Sequence, residues 1–280
     1  MLAKRLSIWF RAIWWITTAI LLPAAGFAAQ PAEDPQVIQL IEQGDADDAR
    51  GATRDAIAEF EAADKLSPGD PSILVRLSKQ YSDLIAVTKP SSEAAKMAQI
   101  SLDYAKRAVE LDPTSAKAHL ALAVGYGRMT DFTDNKTKLT YSKYIKEEAE
   151  KSLAIDPTDD YAYHVLGRWN YGIASLNPVL KLMAKFIYGG LPEASMEDAA
   201  MYFKKATEIA PQRIIHHLEL ARTYTALGKT ELADKEWETI LTLHAVNGED
   251  EAAQNEAREV LKKHEPASPT PDKSPSPAGQ

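Results

Sequence analysis

One spacing pattern constrains this chain more than any other feature: a set of residue types that recurs with a period of about 34 residues. Position 4 of the period is large, 7 is Leu, 8 is small and 11 is Tyr. Position 20 is Ala, 24 is aromatic, 27 is small and 32 is Pro. The segment starting at Ile214 fits without gaps, through His217, Leu220, Ala221, Tyr224, Gly228, Ala233, Trp237 and Ile240. The segment starting at Val37 supplies Leu40, Gly44, Ala56, Phe60, Ala63 and Pro68. Three segments between them, starting at Pro71, Ala116 and Asp160, fit at both ends but not through their centres. The first gives Leu74, Leu77, Ser78 and Tyr81, then Ala105, Ala108 and Pro113. The second gives His119, Leu122, Ala123 and Tyr126, then Ala149, Ser152 and Pro157. The third gives Tyr163, Leu166 and Gly167, then Ala199, Phe203, Ala206 and Pro211.

This is the template of tetratricopeptide helix pairs. Small residues at 8, 20 and 27 let helices A and B of a repeat approach closely, larger ones at 4, 11 and 24 fill the space between repeats, and Pro at 32 stops helix B. The sequence therefore predicts an all-α fold, a right-handed superhelix of about five helix pairs with a capping helix at 249–264. No single pair buries its apolar face alone, so the pairs must stack. Consecutive stop prolines from Pro68 to Pro211 lie 45, 44 and 54 residues apart, so the middle repeats carry about 11, 10 and 20 residues beyond the period. These are expected as loops between helices A and B at one edge of the solenoid.

The repeat domain is expected over residues 36–264. Before it, Lys4, Arg5 and Arg11 precede the uncharged stretch 12–29, whose end turns small. That pattern reads as a signal peptide, residues 1–28, cleaved after Ala28, with export to the periplasm or outside the cell. Its rival is an uncleaved N-terminal anchor, for which the stretch is short and Pro23 and Gly26 are unfavourable. Residues 29–35 read as a linker. Residues 265–280, rich in Pro and Ser without a large hydrophobe, are expected to be disordered.

The chain's formal charge is −8, and losing 1–28 removes three cations and no acid, leaving −11. An acidic chain without a basic stripe repels phosphate backbones, which argues against nucleic acid as a partner. With no cysteine, disulfides and thiolate metal sites are excluded. There is no His-Glu-x-x-His, phosphate-binding loop or Gly-x-Ser-x-Gly. His216 and His217 point about 100° apart on a helix, with His217 at core position 4 and His216 expected on the surface. The reading is non-enzymatic, with no cofactor, metal or catalytic residue.

Two stretches go beyond a generic repeat: Leu166-Gly167-Arg168-Trp169-Asn170-Tyr171, and Phe186-Ile187-Tyr188-Gly189-Gly190-Leu191-Pro192-Glu193-Ala194-Ser195 leading into helix B. With the insertion between them they resemble the regulator of microtubule dynamics family, over roughly 116–261. In animals that family joins an N-terminal membrane segment to a tetratricopeptide domain. Its members are linked to microtubules and organelle contact sites, and one to phospholipid binding. For this chain the resemblance implies the architecture and a groove that accepts a peptide or a lipid.

In such arrays helix A lines the concave face near positions 2, 5, 9 and 12. Position 9 is basic three times, as Lys79, Arg168 and Arg222, and arginine presents a planar fork suited to carboxylate or phosphate. His164 at position 5 and Tyr161 and Tyr171 at 2 and 12 join them. Lys79, His164, Arg168, Tyr171 and Arg222 are the candidate ligand-binding residues, for a protein or peptide partner or, alternatively, a phospholipid. The bland reading is that the three cations pair with Asp or Glu on adjacent helices. Trp169 is expected to pack between helices. In the largest insertion, residues 178–188 read as an amphipathic helix with Lys181 and Lys185 on one side. Three roles fit it: packing on the repeats, a lid, or contact with a membrane surface.

Overall fold

The structure, a computed structural model, describes residues 34–264 apart from 87, 90, 189 and 191. The expected signal peptide or anchor, the tail at 265–280 and residues 29–33 of the expected linker lie outside the described residues.

The described chain is a run of α-helices: α1 (Pro35–Ala49), α2 (Thr53–Leu66), α3 (Pro71–Ala86), α4 (Ser92–Leu111), α5 (Ala116–Met129), α6 (Asn135–Ile155), α7 (Asp160–Ala174), α8 (Pro178–Tyr188), α9 (Met196–Ile209), α10 (Ile214–Ala226), α11 (Thr230–Thr242) and α12 (Gly248–His264). Helices A are α1, α3, α5, α7 and α10; their B partners are α2, α4, α6, α9 and α11. α12 closes the end against α11 and α10, as the expected capping helix. Each B helix also packs on the A helix that follows it, and from α3 to α12 successive A helices touch one another. Contact along the A side puts it on the inside of the curve, as a right-handed tetratricopeptide superhelix requires.

Local chemistry sets the ends. The side chains of Ser91, Ser115, Asp134, Asp159 and Ser195 accept backbone N–H groups in the first turns of α4, α5, α6, α7 and α9, satisfying donors that a helix leaves orphaned. At the stops, Asp112 and Asp156 each fold back to accept the backbone N–H of the Thr two residues on, at 3.0 and 2.9 Å. The Asp-Pro-Thr phrase thus builds the turn that the proline begins.

The small residue at position 8 has a measurable reason. A Cβ added at Gly44 would lie 2.5 Å from the ring of Phe60, and one at Gly167 would lie 2.6 Å from the ring of Phe203. Both phenylalanines occupy position 24 of the same repeat and are fully buried. Where the aromatic at 24 is absent, position 8 grows: Ser78 hydrogen-bonds Ser101 across its pair, and Ala123 packs with Ala149 and Leu166. Position 4 also has a polar use. His119 and His217 each donate through Nε2 to the carbonyl of the preceding stop proline, Pro113 at 2.9 Å and Pro211 at 3.0 Å. Their Nδ1 atoms face Glu148 and Glu236, both at 2.6 Å. Tyr163 donates to Pro157 in the same way at 3.3 Å.

The first two insertions are not the edge loops expected. They lengthen helix B, so that α4 and α6 run 20 and 21 residues where α2, α9 and α11 run 14, 14 and 13. A helix satisfies its own backbone groups, so continuing one costs less than ordering a loop of equal length. The third insertion forms α8.

Candidate binding groove

Polar side chains link neighbouring A helices into a ladder along the concave seam. Between α1 and α3, Arg76 grips Asp45 at 2.8 and 2.9 Å, and Lys79 lies 2.7 Å from Asp48. Lys79 also reaches Asp83 on its own helix at 2.8 Å. Burial works against its charge, but Asp83 and Asp48 outweigh that and raise its pKa. Between α3 and α5, Arg128 donates from Nε to the Ser82 hydroxyl at 2.8 Å. Between α7 and α10, Arg168 meets Glu219 at 2.8 Å. Glu219 also takes Arg222 at 3.1 Å, and Arg222 continues to Glu256 on α12. Its hydrogen bond to Glu256 is the main reason the Arg222 pKa is raised.

The structure thus brings Lys79, Arg168 and Arg222 to the concave seam, and there it pairs each with carboxylates on adjacent helices. Four other residues sit differently from expectation. His164 is buried, not open to the groove: its Nδ1 lies 3.0 Å from Nδ1 of His216, and its ring stacks on Tyr161. His216, expected on the surface, is fully buried, with Nε2 2.7 Å from Asp160. Leu218, at position 5 of the last repeat, is likewise core. In the last two repeats position 5 is consumed by packing. Tyr171 is half-buried against the Phe203 cluster rather than flanking an open channel.

The His164–His216 pair has one defined proton arrangement. His216 donates from Nε2 to Asp160, which leaves its Nδ1 as an acceptor for the Nδ1–H of His164. Burial lowers the pKa of both rings; for His164 the charges of His216, Arg168 and Arg213 lower it further.

The ladder has one break. Among the described residues no hydrogen bond or ion pair joins α5 to α7, the middle step of the seam. On one side of the break stands Arg128, fixed by Ser82 through Nε and without a carboxylate within ion-pair distance among the described residues. On the other stands Tyr161, half-buried, its hydroxyl without a hydrogen-bond partner among the described residues. Burial raises the pKa of that hydroxyl, while Arg128, Asp83, Glu249 and Arg213 are all close enough to act on it. Tyr161 also lines a cleft of about 520 Å³ with Arg213, Ile214, Ile215, His244 and Val246. Sequence reasoning missed Arg128 because the groove positions read from the template end at 12, and it occupies 13. The signal available was a basic residue one step past a glycine on an A helix.

Among the described residues no cluster of His, Asp or Glu has metal-binding geometry. None of their helices is long and apolar enough to cross a membrane.

Comparison with known proteins agrees with this architecture. The model of the family described as regulator of microtubule dynamics protein 1-3 matches residues 36–265. Regulator of microtubule dynamics protein 1 of Mus musculus is 31% identical over 69% of this chain and 64% of its own length. Regulator of microtubule dynamics protein 2 of Homo sapiens is 27% identical over 66% of this chain and 46% of its own. The chain thus spans between about half and two thirds of these relatives. The crystal structure of a thermophilic tetratricopeptide protein of Thermus thermophilus superposes with a TM-score of 0.61, covering 81% of this chain and 99% of that one at 16% identity.

Proposed function

We propose that this chain, which belongs to the regulator of microtubule dynamics family, is a non-enzymatic scaffold that holds a protein or peptide partner in its concave seam. The break between α5 and α7 carries the reading. Four cations along the seam, Arg76, Lys79, Arg168 and Arg222, each have a carboxylate on the neighbouring A helix or on α12. Arg128 has none among the described residues, and a partner's acidic side chain or terminal carboxylate would supply it. The guanidinium is held in place by Ser82, so little ordering cost falls on binding, and its remaining N–H groups form the fork that carboxylates fit. Tyr161 adds a hydroxyl and an aromatic face across the gap.

The seam favours a peptide over the alternative ligand, a phospholipid: its described groups are charged or hydrogen-bonding, where an acyl chain needs apolar walls. The relatives' names point to regulation of microtubule dynamics. For this chain, an acidic protein matching only part of their length, that role is one instance of the scaffold reading. With export through the N-terminal segment, the partner belongs to the cell envelope or the exterior.

The test is affinity capture on the full chain, with captured proteins identified by mass spectrometry. Arg128→Glu should lose the specific partners. Lys235→Glu, an exposed change on α11, should keep them. An unchanged partner set for Arg128→Glu would remove the reading.

A further inference from the structure

α8 lies apart from the seam and has chemistry of its own. It is inserted between α7 and α9, the two packed helices of repeat four. Its sequence holds Lys181 and Lys185 and no acidic residue, in a chain of net charge −8. Val179, Leu182 and Phe186 are exposed at 66%, 55% and 80%. Their spacing places them within an arc of about 60° on a helix that turns about 100° per residue. Among the described residues no other helix exposes three large hydrophobic side chains. A stripe of this kind on a soluble surface marks a docking site.

A lysine identifies what docks. On the same helical wheel Lys185 lies about 60° beyond the Leu182 edge of the stripe, and Lys181 about 100° beyond it. Lys181 donates to the carbonyl of Ala174 at 2.8 Å, pinning the start of α8 to the end of α7. Lys185 is exposed and without an ion pair among the described residues. Short connections tie α8 to the repeats at both ends. A groove in a partner protein wraps a helix from several sides; a flat surface needs one apolar face with cations at its border, their stems free to reach upward. We propose that α8 docks on an anionic lipid surface, laying Val179, Leu182 and Phe186 into the interface with Lys185 toward the headgroups. This surface is independent of the concave seam.

The absence of cysteine allows one label per molecule. Phe186→Cys and, as a control on α9, the exposed Met201→Cys are each coupled to an environment-sensitive dye in the full chain. They are then mixed with phosphatidylcholine vesicles with or without phosphatidylglycerol. The label at 186 should brighten and shift to the blue on phosphatidylglycerol vesicles, while the label at 201 stays unchanged. This local readout separates α8 from any binding through the N-terminal segment. Lys185→Gln should weaken the response at 186, by about fivefold in apparent affinity. Two outcomes would each overturn the proposal: a label at 186 that ignores phosphatidylglycerol vesicles, whether or not the protein sediments with them, or a response indifferent to phosphatidylglycerol and to Lys185→Gln.

Discussion

Gly167→Ala puts the packing argument at its most exposed. In the middle of a helix this change normally stabilises, by about 1 kcal/mol of intrinsic propensity. Here the new methyl would sit 2.6, 2.7 and 2.9 Å from three ring atoms of Phe203, where carbon atoms prefer about 3.5–4.0 Å. The ring must move by roughly 1 Å, yet it is fully buried between α7 and its neighbours. Overpacking of that kind costs about 1–3 kcal/mol, and this contact belongs at the upper end. The net is a loss of about 2 kcal/mol, or about 4–8 °C in Tm for a domain of this size. Gly172, on the same helix, has nothing within 4 Å of an added Cβ, so Gly172→Ala should stabilise by up to about 1 kcal/mol. Thermal and urea unfolding followed by circular dichroism gives both values. If Gly167→Ala is as stable as Gly172→Ala, the close approach of α7 and α9 is wrong. Phe203→Leu should rescue much of the Gly167→Ala loss, because it removes the ring atoms the methyl strikes.

Three other outcomes follow from the buried polar groups. The folded pKa values of His164 and His216 are depressed below the unfolded value near 6.5. The unfolded chain therefore binds more protons in that range, so stability is full above about pH 6.5 and falls as pH drops, by up to about 1.4 kcal/mol per unit for each ring. Urea midpoints between about pH 7 and 5 should show that slope, and His164→Gln should flatten it. Trp169 and Trp237 are both buried, but among the described residues only Trp169 has a partner for its indole N–H, the Ser142 carbonyl at 2.7 Å, while that of Trp237 has none. Trp169→Phe should therefore cost about 1 kcal/mol more than Trp237→Phe in chemical denaturation; equal losses would contradict the assigned bond. Glu219→Gln leaves Arg168 exposed to water and Arg222 still on Glu256, so the loss should be only about 1 kcal/mol and should shrink in high salt.

The helix pairs were legible because each depends on residues close in sequence. Proline stops, serine and aspartate caps and the Gly-aromatic match at positions 8 and 24 act within one repeat. The concave placement of Lys79, Arg168 and Arg222 was legible for the same reason. What they touch was not: Asp48, Glu219 and Glu256 lie on other repeats, and the unequal insertions hide which carboxylate meets which cation. His164 and His216 show the limit differently. A periodic template says which face a residue occupies, but not how near the next A helix comes. The lengthening of α4 and α6 was missed because an insertion measured between prolines does not reveal whether it continues a helix or leaves it.

The claim on which the functional account rests is that partners enter the concave seam beside Arg128 and Tyr161. A photoreactive phenylalanine analogue placed at 161, and for comparison at the exposed Met201 on α9, can be irradiated in cell extract and the adducts analysed by mass. The account predicts protein adducts at 161 that vanish with Arg128→Glu, and none shared with 201. Adducts formed only at 201, or at 161 regardless of Arg128, would contradict it.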